Sequence, residues 1–476
     1  SEQVMRIALA IGLLIPLGLS AQEIAPTLSR EALVRLVLDH HPMARQAALR
    51  PELGVATVRS ARGGFDPVVQ AELEEKTFDD KDYFRLLDVG LKVPTWWGIE
   101  VLAGYQDNSG DLLDPMLTTP NDGLMKAGVN LALGQGMLMD QRRAALRRAQ
   151  AFQDAALAEQ EQMLNAVLFA ALSDHVDWVA AHQALRIAQE AVQLARLRND
   201  FVRGSWRGGD RPAIDTLEAF LQLQDREMRL AQAELNVRNT ALRLSNHLWD
   251  QALRPLELDP ATRPMERDLE SPDGAPSLDS LVVRAERTHP LLLQAQARID
   301  QLEVDRRLRA EMLRPQLDLK YMVLGDARRL NGESGSWVDG GDQQWGVGFR
   351  MPLLLRRERG ELSLARLRVT EAELGLERDR TVIANRVAER ANETGTLRQQ
   401  TDLGALTVRN YGALLEGENR RFEVGESSLF LVNAREVALL EARIKQVDLE
   451  ARLRKAWFAT DLEAGVLWRT LTGQTP

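Results

Sequence analysis

Six histidines, at 40, 41, 175, 182, 247 and 289, are the side chains of this 476-residue sequence with an ordinary pKa near neutrality. His175 and His182 share a helix face seven residues apart, too far to hold one metal ion. His41 and His289 each precede a proline, Pro42 and Pro290, which marks them as chain-turning positions. There is no cysteine, so disulfides, thiolate nucleophiles and thiolate metal sites are excluded. Carboxylates are many, but they lie beside arginines along helical surfaces, the pattern of a solvated face. Gly332 to Gly341 is glycine-rich yet lacks the Lys-Ser/Thr ending of a phosphate cradle, so it reads as a loop between strands. No catalytic residue, cofactor site or metal site emerges. The charges that do gather lie at two turns. Arg203 precedes Gly204-Ser205-Trp206-Arg207-Gly208-Gly209-Asp210-Arg211-Pro212, and Arg421 to Glu423 precede Val424-Gly425-Glu426-Ser427-Ser428. Asp210 is placed to cap a following helix with Pro212 in its first turn, and Ser427 or Ser428 to do the same at the second turn.

Very long helices present these turns. Gln141 to Arg203 has no Pro or Gly in 63 residues, and sixteen are Ala. At helical rise it reaches roughly 95 Å. Ala149, Phe152, Ala156, Met163, Val167 and Ala170 fall on a heptad-like seam. Arg357 to Arg421 is as long, with Gly375, Gly395, Gly404 and Gly412 as places where it can kink. Each long helix reverses at its turn into a second one, Ala213 to Trp249 and Leu429 to Leu471. Each half therefore contributes one coiled-coil hairpin.

Six short segments alternate apolar and polar residues. Val69, Ala71 and Leu73 oppose Gln70, Glu72 and Glu74. Similar alternation marks Asp88 to Val93, Ile99 to Gln106, Lys126 to Leu133, Leu317 to Tyr321 and Gln344 to Met351. A barrel wall with lipid outside and water inside alternates in this way, and so does a half-buried soluble sheet.

The chain repeats its plan. Ser29 to Ala47 and Ser277 to Ala295 share His-Pro and Gln-Ala steps at a constant offset of 248, which Pro67 and Pro315 also keep. The organisation is then a signal peptide at 5–21 and a first repeat at 22–250, with strands at about 67–133 and a hairpin at about 141–250. A linker at 251–276, rich in proline and acidic residues, leads to a second repeat at 277–476, with strands at about 316–352 and a hairpin at about 357–471. Ile7 to Leu19 is an apolar run of thirteen residues behind Arg6, too short to span a bilayer as a helix. An exported chain without cysteine suits the periplasm or outer membrane of a bacterium. Net charge is −9, which leaves no basic footprint for nucleic acid.

From about Leu28 to Leu471 the pattern resembles the TolC-like outer-membrane efflux family. The stretch RFEVGESSLFLVNARE at 421–436 looks like that family's second hairpin tip, and AIDTLEA at 213–219 looks like its first. Ile214, Leu217 and Ala219 match Leu429, Val432 and Ala434 at an offset of 215. The resemblance implies a mainly α fold with a transmembrane β-barrel portion and a periplasmic α-barrel, built by a homotrimer. It implies a passive duct in the cell outer membrane, in contact with its lipid and working with a periplasmic adaptor and an inner-membrane pump. It implies no enzyme activity. The best-known members place four strands per protomer. Here the first repeat alone reads as four, with Val89 to Tyr105 as an extra hairpin around Pro94-Thr95-Trp96-Trp97-Gly98. Either the barrel is wider or this hairpin lies outside the membrane. Trp96 and Trp97 read as interface anchors or as an ordinary packed turn.

The family's tips carry acidic rings and polar latches. Asp215 matches such an acidic position, with Arg421 or Arg203 as its partner. Leu431 and Asn433 stand where some members have aspartates, leaving Asp210, Glu423 or Glu426 to supply a ring. Gly204, Gly208, Gly209, Val424, Gly425, Ser427 and Ser428 form the tips that would meet the adaptor. A soluble periplasmic coiled-coil adaptor or scaffold is the competing expectation.

Overall fold

The structure is a computed structural model that describes residues 27–271, 277–326 and 341–473. The expected signal peptide at 5–21, Pro272 and Pro276 of the linker, and nearly all of Gly332 to Gly341 lie outside them. In chain order the elements begin β1 (Thr27–Leu28), α1 (Arg30–His40), α2 (Pro42–Arg62), β2 (Val68–Phe78), β3 (Lys81–Pro94), β4 (Ile99–Ser109) and β5 (Leu124–Ala132). They continue α3 (Gln141–Arg207), α4 (Ala213–Ser245), β6 (Arg263–Pro264), α5 (Leu278–Thr288), α6 (Pro290–Glu311) and β7 (Gln316–Asp326). The chain closes with β8 (Gln343–Arg350), α7 (Arg356–Glu423), α8 (Leu429–Glu463) and α9 (Leu467–Thr472).

The chain divides into two compact units. One comprises 43–169, 272–399 and 456–476, and the other comprises 1–42, 170–271 and 400–455. Two breaks between short helices follow the His-Pro pairs, because a residue before proline is pushed out of the α region. Ser29 Oγ accepts from Ala32 N at the head of α1, and Ser277 Oγ accepts from Ser280 N at the head of α5. His289 closes α5 and caps α6, its Nδ1 accepting from Leu291 N at 3.2 Å.

In the first of these units the strands form one six-stranded antiparallel sheet in the order β2-β3-β4-β5-β7-β8. The alternation marked strand centres, and the strands run further, up to 14 residues in β3. Asp79 and Asp80, both left-handed, make the two-residue turn joining β2 to β3. The register lines up one apolar face across all six strands: Val69 opposite Leu91, Ala103 opposite Ala127, Val129 opposite Tyr321, and Leu319 opposite Val347. Much of that face is exposed in the single chain, including Val69, Leu73, Leu91, Val101, Trp345 and Val347. The opposite face carries ion pairs. Lys126 Nζ lies 2.7 Å from Asp88, and Glu100 gathers Lys92 at 2.8 Å and Arg142 at 3.0 Å.

Lys126 on β5 reaches Asp88 on β3 across the intervening β4, where Gly104 leaves the space. A Cβ at Gly104 would meet Lys126 Cε at 2.7 Å and Val89 O at 3.0 Å. Gly104→Val is therefore expected to displace Lys126 and destabilise the sheet by about 1–3 kcal/mol. Denaturant unfolding of the purified protein checks this, and an unchanged midpoint would contradict it.

The hydrophobic core of this unit joins Leu281 and Ala285 of α5, Leu292 and Ile299 of α6, Leu376, Ile383 and Val387 of α7, and Ala464 and Val466. Gly465, left-handed at φ +74°, ends the preceding helix, so α8 stops at Glu463 instead of continuing to Leu471. Asn165 of α3 donates to Gly465 O at 3.1 Å and accepts from Trp468 N at 2.7 Å, which fixes α9.

The other unit holds the parallel pair β1–β6, α1, α4 and the remaining lengths of α3, α7 and α8. The described part of the linker packs here, with Leu258 and Leu269 buried. α3 continues four residues past Arg203, and α4 ends at Ser245 rather than Trp249, where Leu256 N pairs back to Leu248 O. α7 is helical throughout despite Gly375, Gly395, Gly404 and Gly412, and at Gly404 the missing side chain makes room for that of Gln446. On the proposed seam Ala149, Ala156 and Val167 are buried, whereas Phe152 and Ala170 face outward. Packing within one chain selects a different stripe there.

His175, 1% exposed, stands in this unit between Leu28 O at 3.5 Å and the Asp268 carboxylate at 3.7 Å. Burial holds its pKa down at about 4. Its folded pKa lies below the unfolded value, so its contribution to stability is complete above about pH 6.5 and falls away toward pH 4. Replacing it, as in His175→Gln, is expected to flatten the loss of stability between those pH values. Unfolding midpoints across pH 7 to 4 are the measurement, and an identical slope in the variant would refute the assignment.

Candidate functional site: the two hairpin tips

Both tips are built by the same backbone device. Gly209, at φ +82°, ends α3 with Asp210 N bonded to Ser205 O at 2.9 Å and Gly209 N to Trp206 O at 3.0 Å. Gly425, at φ +77°, ends α7 with Glu426 N bonded to Arg421 O at 2.8 Å and Gly425 N to Phe422 O at 3.2 Å. Each is a Schellman closure, which needs a left-handed residue that glycine supplies without strain. Gly204 lies inside the last turns of α3, and Gly208 at its end.

Asp210 does not cap α4. Pro212 occupies the N-cap with no side-chain bond, because the closure of α3 has already committed Asp210 to the preceding turn. At the second tip Ser428 Oγ accepts from Leu431 N at 3.4 Å, while Ser427 donates to Glu418. Val424 stands exposed beside them.

Arg211, not singled out from the sequence, joins the two tips. Its guanidinium sits 4.6 Å from the Phe422 ring centre and 6.0 Å from that of Phe201, and Nη1 lies 3.5 Å from Asp215 Oδ2. The i, i+4 spacing of Arg211 and Asp215 was the available signal. Arg203 instead lies 5.7 Å over Phe220, and Arg421 donates to Glu426 O at 3.3 Å. Beneath Arg211, Val202, Ala219 and Leu429 form a small buried core with Phe422 packed on it. Asp210, Glu423 and Glu426 are exposed and have no ion pair among the described residues.

A polar chain crosses the same hairpins. Glu436 pairs with Arg198, Arg198 donates to Asn433 Oδ1 at 3.3 Å, and Asn433 Nδ2 donates to Glu218 at 3.1 Å. Asn433 is 6% exposed. Its amide serves both a guanidinium and a carboxylate, which an aspartate there would do only by facing Glu218 charge to charge. Asn433→Asp is therefore expected to lower the unfolding midpoint at neutral pH, with recovery as the medium is acidified. An unchanged midpoint at both pH values would contradict this role. Glu418, also buried, holds Ser427 and lies 3.7 Å from Arg435. Arg226 is buried beside Asp225, and burial pushes its pKa below the usual guanidinium range. Among the described residues no three His, Asp or Glu side chains converge as a metal site. His175 and His182 instead flank Trp178, at ring distances of 5.9 and 5.1 Å. Both tips present exposed charged side chains, Asp210 at the first and Glu423 and Glu426 at the second.

Residues 281–460 match the family described as outer membrane efflux protein. No curated protein matches the sequence significantly. Solved structures share its fold. The CmeC outer membrane channel of Campylobacter jejuni aligns over 92% of this chain and 86% of its own, at TM-score 0.60 and 14% identity. The outer membrane protein VceC of Vibrio cholerae aligns over 92% and 96%, at 0.62 and 14%. The open MtrE outer membrane channel of Neisseria gonorrhoeae aligns over 92% and 88%, at 0.61 and 15%.

Proposed function

We propose that the chain is a member of the outer membrane efflux protein family, whose pattern residues 281–460 match, and that it is the outer-membrane exit duct of a tripartite efflux or type I secretion system. It acts as a homotrimer, with the sheet closed into a barrel in outer-membrane lipid and the helical hairpins in the periplasm. The two repeats, 22–250 and 277–476 about the linker at 251–276, each supply one hairpin. Tips at Gly204 to Pro212 and Val424 to Ser428 meet a periplasmic adaptor and an inner-membrane pump. Asp215, held by Arg211, is the latch, and Asp210, Glu423 and Glu426 line the entrance in threefold rings.

The sheet is the observation that carries this reading. Six antiparallel strands share one apolar face, much of it exposed in the single chain, beside a charged, hydrogen-bonded face. Lipid covers the first and water wets the second. A soluble periplasmic scaffold has no use for such a face. The test is extraction from the outer-membrane fraction in mild detergent, followed by native mass and conductance in planar bilayers. A mass of three chains and a conducting pore support the duct. A monomer or dimer released in the soluble periplasm overturns it.

A further inference from the structure

We propose that the β3–β4 hairpin lies within the membrane wall, so that three copies of the chain close a barrel of eighteen strands, six from each. This rests on the duct reading above and sets the width of the duct.

Three observations carry it. First, β3 and β4 are interior strands, paired along their length with β2 and β5. Second, the apolar face runs through them without a break: Leu91 and Val101 are exposed on it, as are Val69 on β2 and Val347 on β8. A hairpin standing in water outside the wall would have no reason to continue that face. Third, the polar face is tied across the hairpin. Lys126 of β5 reaches over Gly104 to Asp88 of β3, while Glu100 of β4 holds Lys92 of β3, Asn130 of β5 and Arg142 of α3. The turn itself packs Trp96 on Phe65 at 5.6 Å and leaves Trp97 77% exposed, as an interface anchor requires.

The outer strands complete the argument. Among the described residues β2 and β8 each have one unpaired edge, and unpaired edges do not occur in a lipid-exposed sheet. Every adjacent pair in the sheet is antiparallel and the strand count is even. β8 of one copy therefore runs antiparallel to β2 of the next, and identical seams close the ring. Barrel diameter grows roughly in proportion to strand number. The bore is thus about half as wide again as one in which each chain supplied only four strands.

The absence of cysteine allows a direct test. Leu91→Cys, Val101→Cys, Val129→Cys and Val347→Cys are each labelled with a small fluorophore in the full chain and reconstituted in phosphatidylcholine vesicles. Quenching by brominated-chain phosphatidylcholine is compared with quenching by iodide. We expect all four labels to be quenched by the brominated lipid to within about twofold of one another, and weakly by iodide. If 129 and 347 respond to lipid but 91 and 101 respond only to iodide, the hairpin is outside the wall; the inference falls and the duct stands. If no site responds to lipid, both fall. Val89→Cys and Ala103→Cys repeat the measurement on the same two strands should either first variant fail to fold.

Discussion

Reversing one charge, in Arg211→Glu, is expected to raise the ratio of open to closed pores about a hundredfold. Arg211 is a single side chain shared by both tips, stacked on Phe422 and paired with Asp215. The stacking contributes about 0.5–1 kcal/mol and the i, i+4 pair about 0.3–0.5 kcal/mol. Glutamate removes both and adds repulsion from Asp215. Summed over the three chains of the proposed trimer, the loss totals about 3 kcal/mol, or two decades in a two-state ratio. Arg421→Glu is the comparison, since Arg421, at the exposed end of the second tip, donates to the Glu426 carbonyl. Single-pore recordings in planar bilayers measure both. Equal open probabilities for the two variants would remove Arg211 from the latch.

Two neighbours in β8 are expected to behave oppositely. Val347→Arg puts a guanidinium on the apolar face, at a cost of about 2–4 kcal/mol per chain near the bilayer centre. Gly346→Glu puts a carboxylate on the polar face opposite Lys320, where an added side chain meets nothing within 4 Å. The first is expected to deplete the assembled protein from the outer membrane, and the second to change stability by no more than about 0.5 kcal/mol. Unfolding from lipid vesicles in guanidinium quantifies both. Greater damage from Gly346→Glu would mean that the lipid and water faces have been assigned the wrong way round.

The order of helices and strands was legible because each is long or strongly periodic. Gln141 to Arg203 has nothing to stop a helix, and six strand centres alternate without ambiguity. Their ends were not legible. β2 continues through Glu74, Glu75 and Lys76, where the alternation of polarity is lost but backbone pairing to β3 is kept. α4 ends at Ser245 because of a contact made by residues beyond it, which no local pattern encodes. At the tips the two glycine closures were visible as composition. The role of Arg211 was not, because Phe422 lies more than two hundred residues away in the sequence. Asn433 was noticed only as a missing aspartate, and its part between Arg198 and Glu218 needed three helices in place.

The gap at Gly104 also bears on how the sheet assembles. Antiparallel strands can slip by two residues and keep both faces intact, so polarity alone does not fix their pairing. A two-residue slip of β4 would bring Leu102 or Gln106 beneath the Lys126 side chain. Either is too bulky to let that side chain cross to Asp88. Gly104 therefore works as a steric key that admits one alignment of three strands and rejects hairpins mispaired by two residues.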